Sequence, residues 1–448
     1  MKKVVLMLLL CQFILQSCNK YLDVQSNNRL VVPNSLEDLQ GLLDYSKNMN
    51  LNYCGSGESS SDNAFIPIEN LKTLPTEQKE QYLWQESKYG FPNDWSTMYT
   101  AVYNANLVLE KLDKIQRIKE NAINWDRVKG SALLFRSAAY LSLLWNYSKS
   151  FDAQTAKSDL GIVLRESSDF NVKSTRSSVD QCYARILTDL KSAVDLLPSE
   201  ASHMMRPSKV AAYGLLARTY LSMREYKEAL VYANAYLESK NELMDYNDAT
   251  LVKPSANYPF TIFNKETTFY MQLGSSTLTA AYSSVDTLLY RTYDVNDLRK
   301  VVFFKMTNSI INFKGQYTGS NNLFGGIATD EMYLVRAECL AREGKIAEAL
   351  ADINLLLSKR YKSTSFMPLS ETNISNLLDL ILLERRKELL FRGLRWMDIK
   401  RLNLEGRMIS LIREGADGKV ELKPNDNRFA IPLPEDIIRL AGVEQNPR

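Results

Sequence analysis

Two segments of this 448-residue chain repeat each other. Tyr220-Leu221-Ser222-Met223-Arg224-Glu225-Tyr226-Lys227-Glu228-Ala229-Leu230 aligns without gaps on Leu340-Ala341-Arg342-Glu343-Gly344-Lys345-Ile346-Ala347-Glu348-Ala349-Leu350. Glu-Ala-Leu coincides in both, and an aromatic or aliphatic residue, Tyr226 or Ile346, sits three positions before its Ala. Small residues where two helices cross, then a turn of two or three residues, then a second helix of the form Ala-x-x-x-apolar, is a tetratricopeptide-like pattern. So short a turn forces the two helices antiparallel. Such pairs are expected over 96–147, 178–221, 208–239 and 330–358, degenerate and interrupted rather than forming a free-standing solenoid.

Apolar periodicity extends the helical reading. Ser35 should N-cap a short helix with Leu36, Leu39, Leu42 and Leu43 on one face. Met98, Val102, Ala105, Leu109 and Leu112 share the face of a helix that starts near Trp95, with Asn104 and Asn106 as polar intrusions. A second helix over about 125–147 carries Val128, Leu133, Phe135, Ala139, Leu143 and Leu144. A third starts near Ser177-Ser178 and stops at Pro198, and Pro207-Ser208 opens a fourth.

Residues 46–94 and 241–327 break this pattern. The latter stretch is rich in Asn, Ser and Thr and holds fourteen Phe or Tyr in 87 residues, against an aromatic share of 10% for the chain. Two uses fit: aromatic anchors that hold a long irregular segment in place, or a recognition surface carried on a rigid scaffold. Beyond Arg401, Lys419–Lys423 and Arg428–Ile431 flank Pro424-Asn425-Asp426-Asn427, which reads as a hairpin.

The N-terminus reads as an export signal. Met1-Lys2-Lys3 is basic, Val4 to Leu15 is almost wholly apolar, and Leu15-Gln16-Ser17-Cys18 has the form of a bacterial lipobox. Cleavage after residue 17 would leave Cys18 as an acylated first residue, a lipid tether to a membrane. The formal charge of +3 includes Lys2 and Lys3, so the remainder is near neutral. No basic field favours nucleic acid. Cys54, Cys182 and Cys339 are too widely spaced for a disulfide framework or a zinc site, and Cys182 and Cys339 fall in helical patterns as core residues.

Chemistry is sparse. Any His-dependent nucleophile must use the one histidine, His203, and no nucleophile elbow accompanies it. Asp245-Tyr246-Asn247-Asp248 and Asp294-Val295-Asn296-Asp297 lack the Gly and bidentate Glu of a calcium loop and read as turns. No metal, cofactor or catalytic residue is expected, although two carboxylates for glycoside hydrolysis can hide in any sequence. A further stretch, Glu384 to Arg401, interleaves ten charged residues with Leu389, Leu390, Phe391, Leu394, Trp396, Met397 and Ile399. It reads as a structural clamp whose charges pair locally (Glu388 with Arg392, Asp398 with Arg395 and Arg401).

Several stretches together resemble one family. Leu15-Gln16-Ser17-Cys18 with Lys20-Tyr21-Leu22-Asp23 is similar to the start of the SusD/RagB family of Bacteroidetes outer-membrane nutrient-binding lipoproteins. Trp95-x-x-Met98-Tyr99 with Asn104-Ala105-Asn106, Phe135-Arg136-Ser137-Ala138-Ala139-Tyr140, and Ser178-Val179 through Leu197-Pro198 resemble its first three core helices. Leu216-Ala217-Arg218-Thr219-Tyr220-Leu221, Arg336-Ala337-Glu338, Glu384-Arg385-Arg386-Lys387-Glu388-Leu389 and Gln445-Asn446-Pro447 follow in the family's order. Two departures stand out: Arg392 where the family usually carries an acid before the Gly, and Asn146-Tyr147-Ser148-Lys149 in place of Tyr-Gly-x-x-Pro.

The resemblance implies a mostly α fold: a scaffold of tetratricopeptide-like helix pairs, long irregular aromatic-rich loops and a small β-hairpin near the C-terminus. It implies a signal peptide over 1–17 and a single domain over 18–448. The helical scaffold would span about 35–45, 95–240 and 329–401, the irregular binding region about 46–94 and 241–327, and the tail 402–448. It implies a non-enzymatic, surface-exposed lipoprotein of the cell outer membrane that captures oligosaccharide or peptide. The partner would be a SusC-like TonB-dependent transporter; a tetratricopeptide-type scaffold in outer-membrane assembly is the alternative. Family binding residues lie in variable loops, so position and residue type alone select Asp62, Asn63, Tyr82, Trp84, Tyr89, Tyr282, Tyr290, Tyr293 and Arg299 as candidate ligand contacts.

Overall fold

A computed structural model describes residues 33–86, 90–274, 278, 282–308, 310–416 and 418–448. The leader, Cys18 and Tyr89 lie outside the described residues. Helices of eight residues or more are α1 (Leu36–Leu43), α2 (Asp94–Leu112), α3 (Ala122–Tyr147), α4 (Val179–Leu196), α5 (Lys209–Met223), α6 (Tyr226–Ser239), α7 (Thr329–Arg342), α8 (Ile346–Ser358), α9 (Ile374–Glu388) and α10 (Arg395–Asn403). From α2 to α8 each helix packs on the next in sequence, and α9 packs on α7. That is the neighbour-on-neighbour stacking expected of helix pairs.

The boundaries follow local chemistry. Ser35, Asn93 and Ser178 each accept from the backbone N–H three residues on, and the side chains of Asp38, Ser96 and Gln181 return the bond to the cap. These reciprocal pairs satisfy donors that a helix start leaves open. Ser208 caps α5. The turns that close the repeated pairs take left-handed residues, Arg224 at φ 66° and Gly344 at φ 78°. Where helices cross, Ala132, Ala139, Ala193, Ala211, Ala217, Ala233, Ala337 and Ala349 are fully or almost fully buried, so backbones approach closely.

Asn106, one of the polar intrusions, is buried for a reason. Its amide donates to the Arg165 carbonyl at 2.7 Å and its Oδ1 accepts from Arg136, whose guanidinium also holds Asp189 at 2.8 and 3.0 Å. Arg218 spans from α5 to Glu331 on α7, and Arg401 reaches Glu338 at 2.6 and 2.8 Å. Burial alone would raise the Glu338 carboxyl, but Arg401 and its neighbours outweigh it and hold the group down at about 2. Cys54, Cys182 and Cys339 are buried free thiols.

The irregular segments build a second core. Tyr246, Phe260, Tyr270, Phe303, Phe304, Tyr317 and Phe324 are buried, with ring centroids of successive neighbours 4.9–6.3 Å apart, mostly edge to face. Of the two uses left open for these aromatics, anchoring accounts for most of them. Short two-stranded pairings stitch the region together: Ala64–Phe65 with Ser284–Val285, Thr267–Phe269 with Ile327–Ala328, and Phe304–Thr307 with Ile310–Phe313.

Two local expectations are corrected. The C-terminal hairpin pairs Gly418–Leu422 with the preceding strand Leu411–Gly415, not with Arg428–Ile431. Pro424-Asn425-Asp426-Asn427 instead leads into a single 3-10 turn at Asn427–Phe429, because the Asp426 carboxylate caps it and holds Arg428. The local pairing expected over 384–401 forms only in part, because the stretch is not one continuous helix. It breaks after Glu388, with Phe391 at φ 58° and Gly393 at φ 74°, and resumes at Arg395. The break carries Arg392 away from Glu388, so the i,i+4 pair does not form; Arg395 turns to Asp62 rather than Asp398, and the Asp398–Arg401 pair forms at 2.8 Å. Arg392 instead reaches Asp330 at 2.9 Å and lies over Tyr317, 4.0 Å from its ring centre.

Candidate ligand-binding groove

The break between α9 and α10 is where the two cores meet, and it is held from several sides. Gly393 N–H donates to Glu58 Oε2 at 2.9 Å. Arg395 grips the Asp62 carboxylate with two bonds of 2.7 and 2.8 Å, and Arg386 holds the Asp62 carbonyl at 2.7 Å. Burial opposes ionisation of Asp62, yet Arg395 and Arg386 outweigh it and hold the carboxyl well below the usual range. Burial pushes Glu58 up, with bonds from Asn63 and Gly393 pulling it back.

Beside this turn lies a groove of about 650 Å³. Its floor is the extended segment 271–274, pinned on both edges: Tyr53 N–H donates to the Gln272 carbonyl at 2.9 Å, and Leu273 N–H to the Leu323 carbonyl at 2.9 Å. Leu273 packs against Gly393, where an added Cβ would come within 3.0 Å of it. Phe391 forms part of the wall and meets Phe313 with ring centroids 5.0 Å apart. The lining carries six carboxamides, Asn52, Gln272, Asn312, Gln316, Asn321 and Asn322, with Ser283 and the apolar Leu51, Ile311 and Leu323. Asn321 and Asn322 are exposed, and Asn52, Gln272, Asn312 and Phe313 half-buried. Some of their capacity is used within the protein: Asn322 donates to Gln272 Oε1 at 3.2 Å, the buried Gln316 accepts from the Phe324 N–H at 3.3 Å, and Asn52 donates to the Lys47 carbonyl at 2.8 Å. A carboxamide carries two donor hydrogens and an acceptor oxygen, so further bonding capacity is left that suits hydroxyl-bearing ligands.

A second groove of about 670 Å³ lies between α2, residues 163–174 and the helix Glu435–Ala441. Its polar groups are turned inward: Tyr99 OH donates to the Val163 carbonyl at 2.6 Å, and Ser168 N–H to Glu110 at 2.7 Å. The rings of Tyr103 and Phe170, stacked at 5.1 Å, and Leu440 face outward. The first groove has the chemistry of recognition, and the second is a hydrophobic slot.

The candidate contacts chosen from sequence are mostly structural. Arg299 is fully buried among Asp297, Glu384 and Glu388 at 2.6–2.9 Å, so it has no surface to offer a ligand. Tyr293 is buried and donates to the Lys387 carbonyl at 2.7 Å. Tyr82 and Trp84 sandwich the Arg413 guanidinium, 3.9 and 4.5 Å from their ring centres, and Trp84 Nε1 donates to the Ser60 carbonyl. Asn63 is buried against Glu58 at 2.7 Å, and Asp62 belongs to the Arg395 clamp. Tyr290 stacks edge-on to Phe304 beneath Lys300. Tyr282, 40% exposed, is the one of these described residues with a substantial free face, and its neighbour Ser283 lines the groove. The groove's lining draws instead on an Asn/Gln cluster over 312–322.

Among the described residues no group of three or more His, Cys, Asp or Glu is placed to hold a metal ion. His203 Nδ1 accepts from the Met205 N–H at 3.1 Å and the ring meets Phe263 edge-on. The acidic loops are Asx turns: Asp245 accepts from Asn247, and Asp294 from Asn296.

Comparison with known proteins now decides the family. One family model, described as starch-binding associating with outer membrane, matches residues 20–221, and a second, the SusD family, matches residues 302–439. The chain belongs to the SusD/RagB family. Its fold is shared by a SusD superfamily protein from Bacteroides thetaiotaomicron, 22% identical, with a TM-score of 0.74 and coverage of 92% of this chain and 100% of that one. A SusD-like carbohydrate binding protein from Bacteroides vulgatus is 19% identical (TM-score 0.68; 91% and 96% covered). Surface glycan-binding protein A from Bacteroides fluxus is 17% identical (TM-score 0.70; 93% and 100% covered). No curated protein sequence matches the chain. The mostly α SusD-like fold with small hairpins is as expected from the sequence.

Proposed function

We propose that the chain is a cell-surface lipoprotein that captures oligosaccharide in the carboxamide-lined groove and passes it to a SusC-like TonB-dependent transporter. The lipobox at Leu15–Cys18 supports an acylated Cys18 in the outer membrane, and no described helix is long and apolar enough to cross a membrane. The observation that carries the reading is the groove itself. It presents clustered Asn and Gln side chains, with the half-buried Phe313 beside them, on a floor held by two hydrogen-bonded edges. Preorganised donors and acceptors of this kind suit sugar hydroxyls, and apolar patches suit the C–H faces of pyranose rings. Nutrient delivery needs binding without turnover, which agrees with a role outside catalysis.

Titration calorimetry of the protein against a panel of polysaccharides tests this. One member should bind, and Gln272→Ala/Asn312→Ala should weaken it about tenfold, the scale of one or two lost hydrogen bonds. Binding that ignores both substitutions would remove the groove from the mechanism. Release of reducing ends from the bound glycan would replace capture by hydrolysis. Co-purification through the acylated chain should recover a TonB-dependent barrel, and protection from protease at the cell surface would favour a periplasmic assembly scaffold instead.

A further inference from the structure

We infer that this groove selects uncharged glycans and discriminates against uronate-bearing or sulfated ones and against peptides with charged ends. The inference rests on the groove being the glycan site. None of the groove's described lining residues is Asp, Glu, Lys, Arg or His.

The cations nearest in sequence are committed elsewhere. Lys314 follows Phe313, but its ammonium donates to the carbonyls of Pro254 and Ala256. Arg392 follows Phe391 and is buried against Asp330 at 2.9 Å. Lys305, opposite Asn312 across the hairpin, is exposed and does not line the groove; its Nζ lies 3.5 Å from Asn257 Oδ1. An anionic sugar entering the groove would shed part of its hydration and meet amide dipoles but no counter-charge. A neutral sugar gives up only hydroxyl hydration, which the remaining donors and acceptors of the Asn and Gln side chains can replace. Charged peptide termini face the same imbalance.

The test is calorimetry of the full chain in detergent with matched polysaccharide pairs: galactan and polygalacturonate, glucan and glucuronan, unsulfated and sulfated galactan. A neutral member should bind, with its acidic counterpart at least about tenfold weaker, a gap of about 1.4 kcal/mol. Affinity for the neutral member should change less than about twofold between 50 and 500 mM NaCl, because no ion pair is there to be screened. Exposed Asn322→Lys should raise affinity for the acidic member at least about fivefold at 50 mM NaCl, and 500 mM should remove the gain. An acidic member that binds as tightly as its neutral partner overturns the charge rule while leaving glycan capture intact. No gain with Asn322→Lys would show that the groove does not set the exclusion. Binding of no polysaccharide at all would overturn glycan capture and the rule with it.

Discussion

Arg360→Met probes the ion network that joins the irregular region to the helical stack. Arg360 is fully buried and follows α8; its Nε donates to Glu388 at 2.7 Å, Nη2 to Glu266 at 2.8 Å and Nη1 to the Met244 carbonyl at 2.7 Å. Its guanidinium also lies 4.2 Å from the ring centre of Tyr246. Each charge-assisted bond contributes about 1.5–3 kcal/mol, but methionine avoids the cost of burying a guanidinium and fills most of the space. What remains is the penalty of leaving two buried carboxylates short of a cation, about 3–5 kcal/mol. That is a large part of the roughly 5–15 kcal/mol by which proteins resist unfolding.

The deficit should depend on pH, with a definite sign. Burial, with Asp330 and Glu388 nearby, already holds the Glu266 carboxyl above its ordinary value, against the pull of Arg360. Without Arg360 it rises further. A carboxyl raised in the folded state contributes stability that is full below its unfolded pKa and is lost as pH climbs through the folded one. The variant therefore loses less at pH 5 than at pH 8. Urea unfolding, which leaves ionic strength unchanged, measures both. A loss under about 1 kcal/mol, or one equal at the two pH values, refutes the account. Arg360→Met/Glu266→Gln should recover part of the loss and abolish its pH dependence.

Other outcomes are expected. Trp396, 2% exposed and stacked 4.8 Å from Phe429, should cost about 3–5 kcal/mol as Trp396→Ala in urea unfolding, with glycan affinity per folded molecule unchanged. Gly393→Ala sets a side chain at φ 74° against Leu273; a loss of about 1–2 kcal/mol from the left-handed backbone and a weaker groove by calorimetry should appear together. Arg392→Glu puts a second acid beside Asp330 and should destabilise by at least about 3 kcal/mol, a loss that Asp330→Asn partly reverses. Lys400 is buried, donates to the Trp145 and Ser148 carbonyls without a carboxylate, and is pushed down to about 7 by burial. A lysine lowered in the folded state makes stability rise from pH 7 toward 10, and comparison with Lys400→Met should isolate that slope.

The scaffold was legible because its determinants are local. Capping residues at Ser35, Ser178 and Ser208, Pro198 after α4, and Ala stripes at helix spacing each mark an element within a few residues. The hairpin partner of Lys419–Lys423 was missed because two flanking segments alternate equally well, and Asp426 decides between them through Arg428. The break at Phe391–Gly393 was missed because charge spacing over 384–401 fits a continuous helix. Its true partners, Asp62, Asp330 and Glu58, lie 62 residues or more away in sequence. Several candidate contacts chosen for aromatic or charged character are buried for the same reason: Tyr82 and Tyr293 in the second core, Trp84 in the first, and Arg299 among carboxylates. A buried Tyr or Arg and a ligand-facing one look alike until the chain is folded.

The charged turn that marks the family also shapes the groove, which gives it a use beyond clamping. Its charges fix two bodies against each other: Arg395 on Asp62, Arg299 and Arg360 on Glu388, Arg392 on Asp330. Phe391 then forms wall, and Gly393 leaves room for Leu273 in the floor. Any change to those residues is felt in folding, because each buried charge has a partner left unpaired by its loss. Asn321 and Asn322 are exposed, and the bond that Asn322 donates to Gln272 at 3.2 Å is at the surface rather than in a buried ion network. With glycan captured in the groove as proposed, replacing Asn321 and Asn322 by serine should alter glycan affinity while the turn stays fixed, with a stability change within about 0.5 kcal/mol.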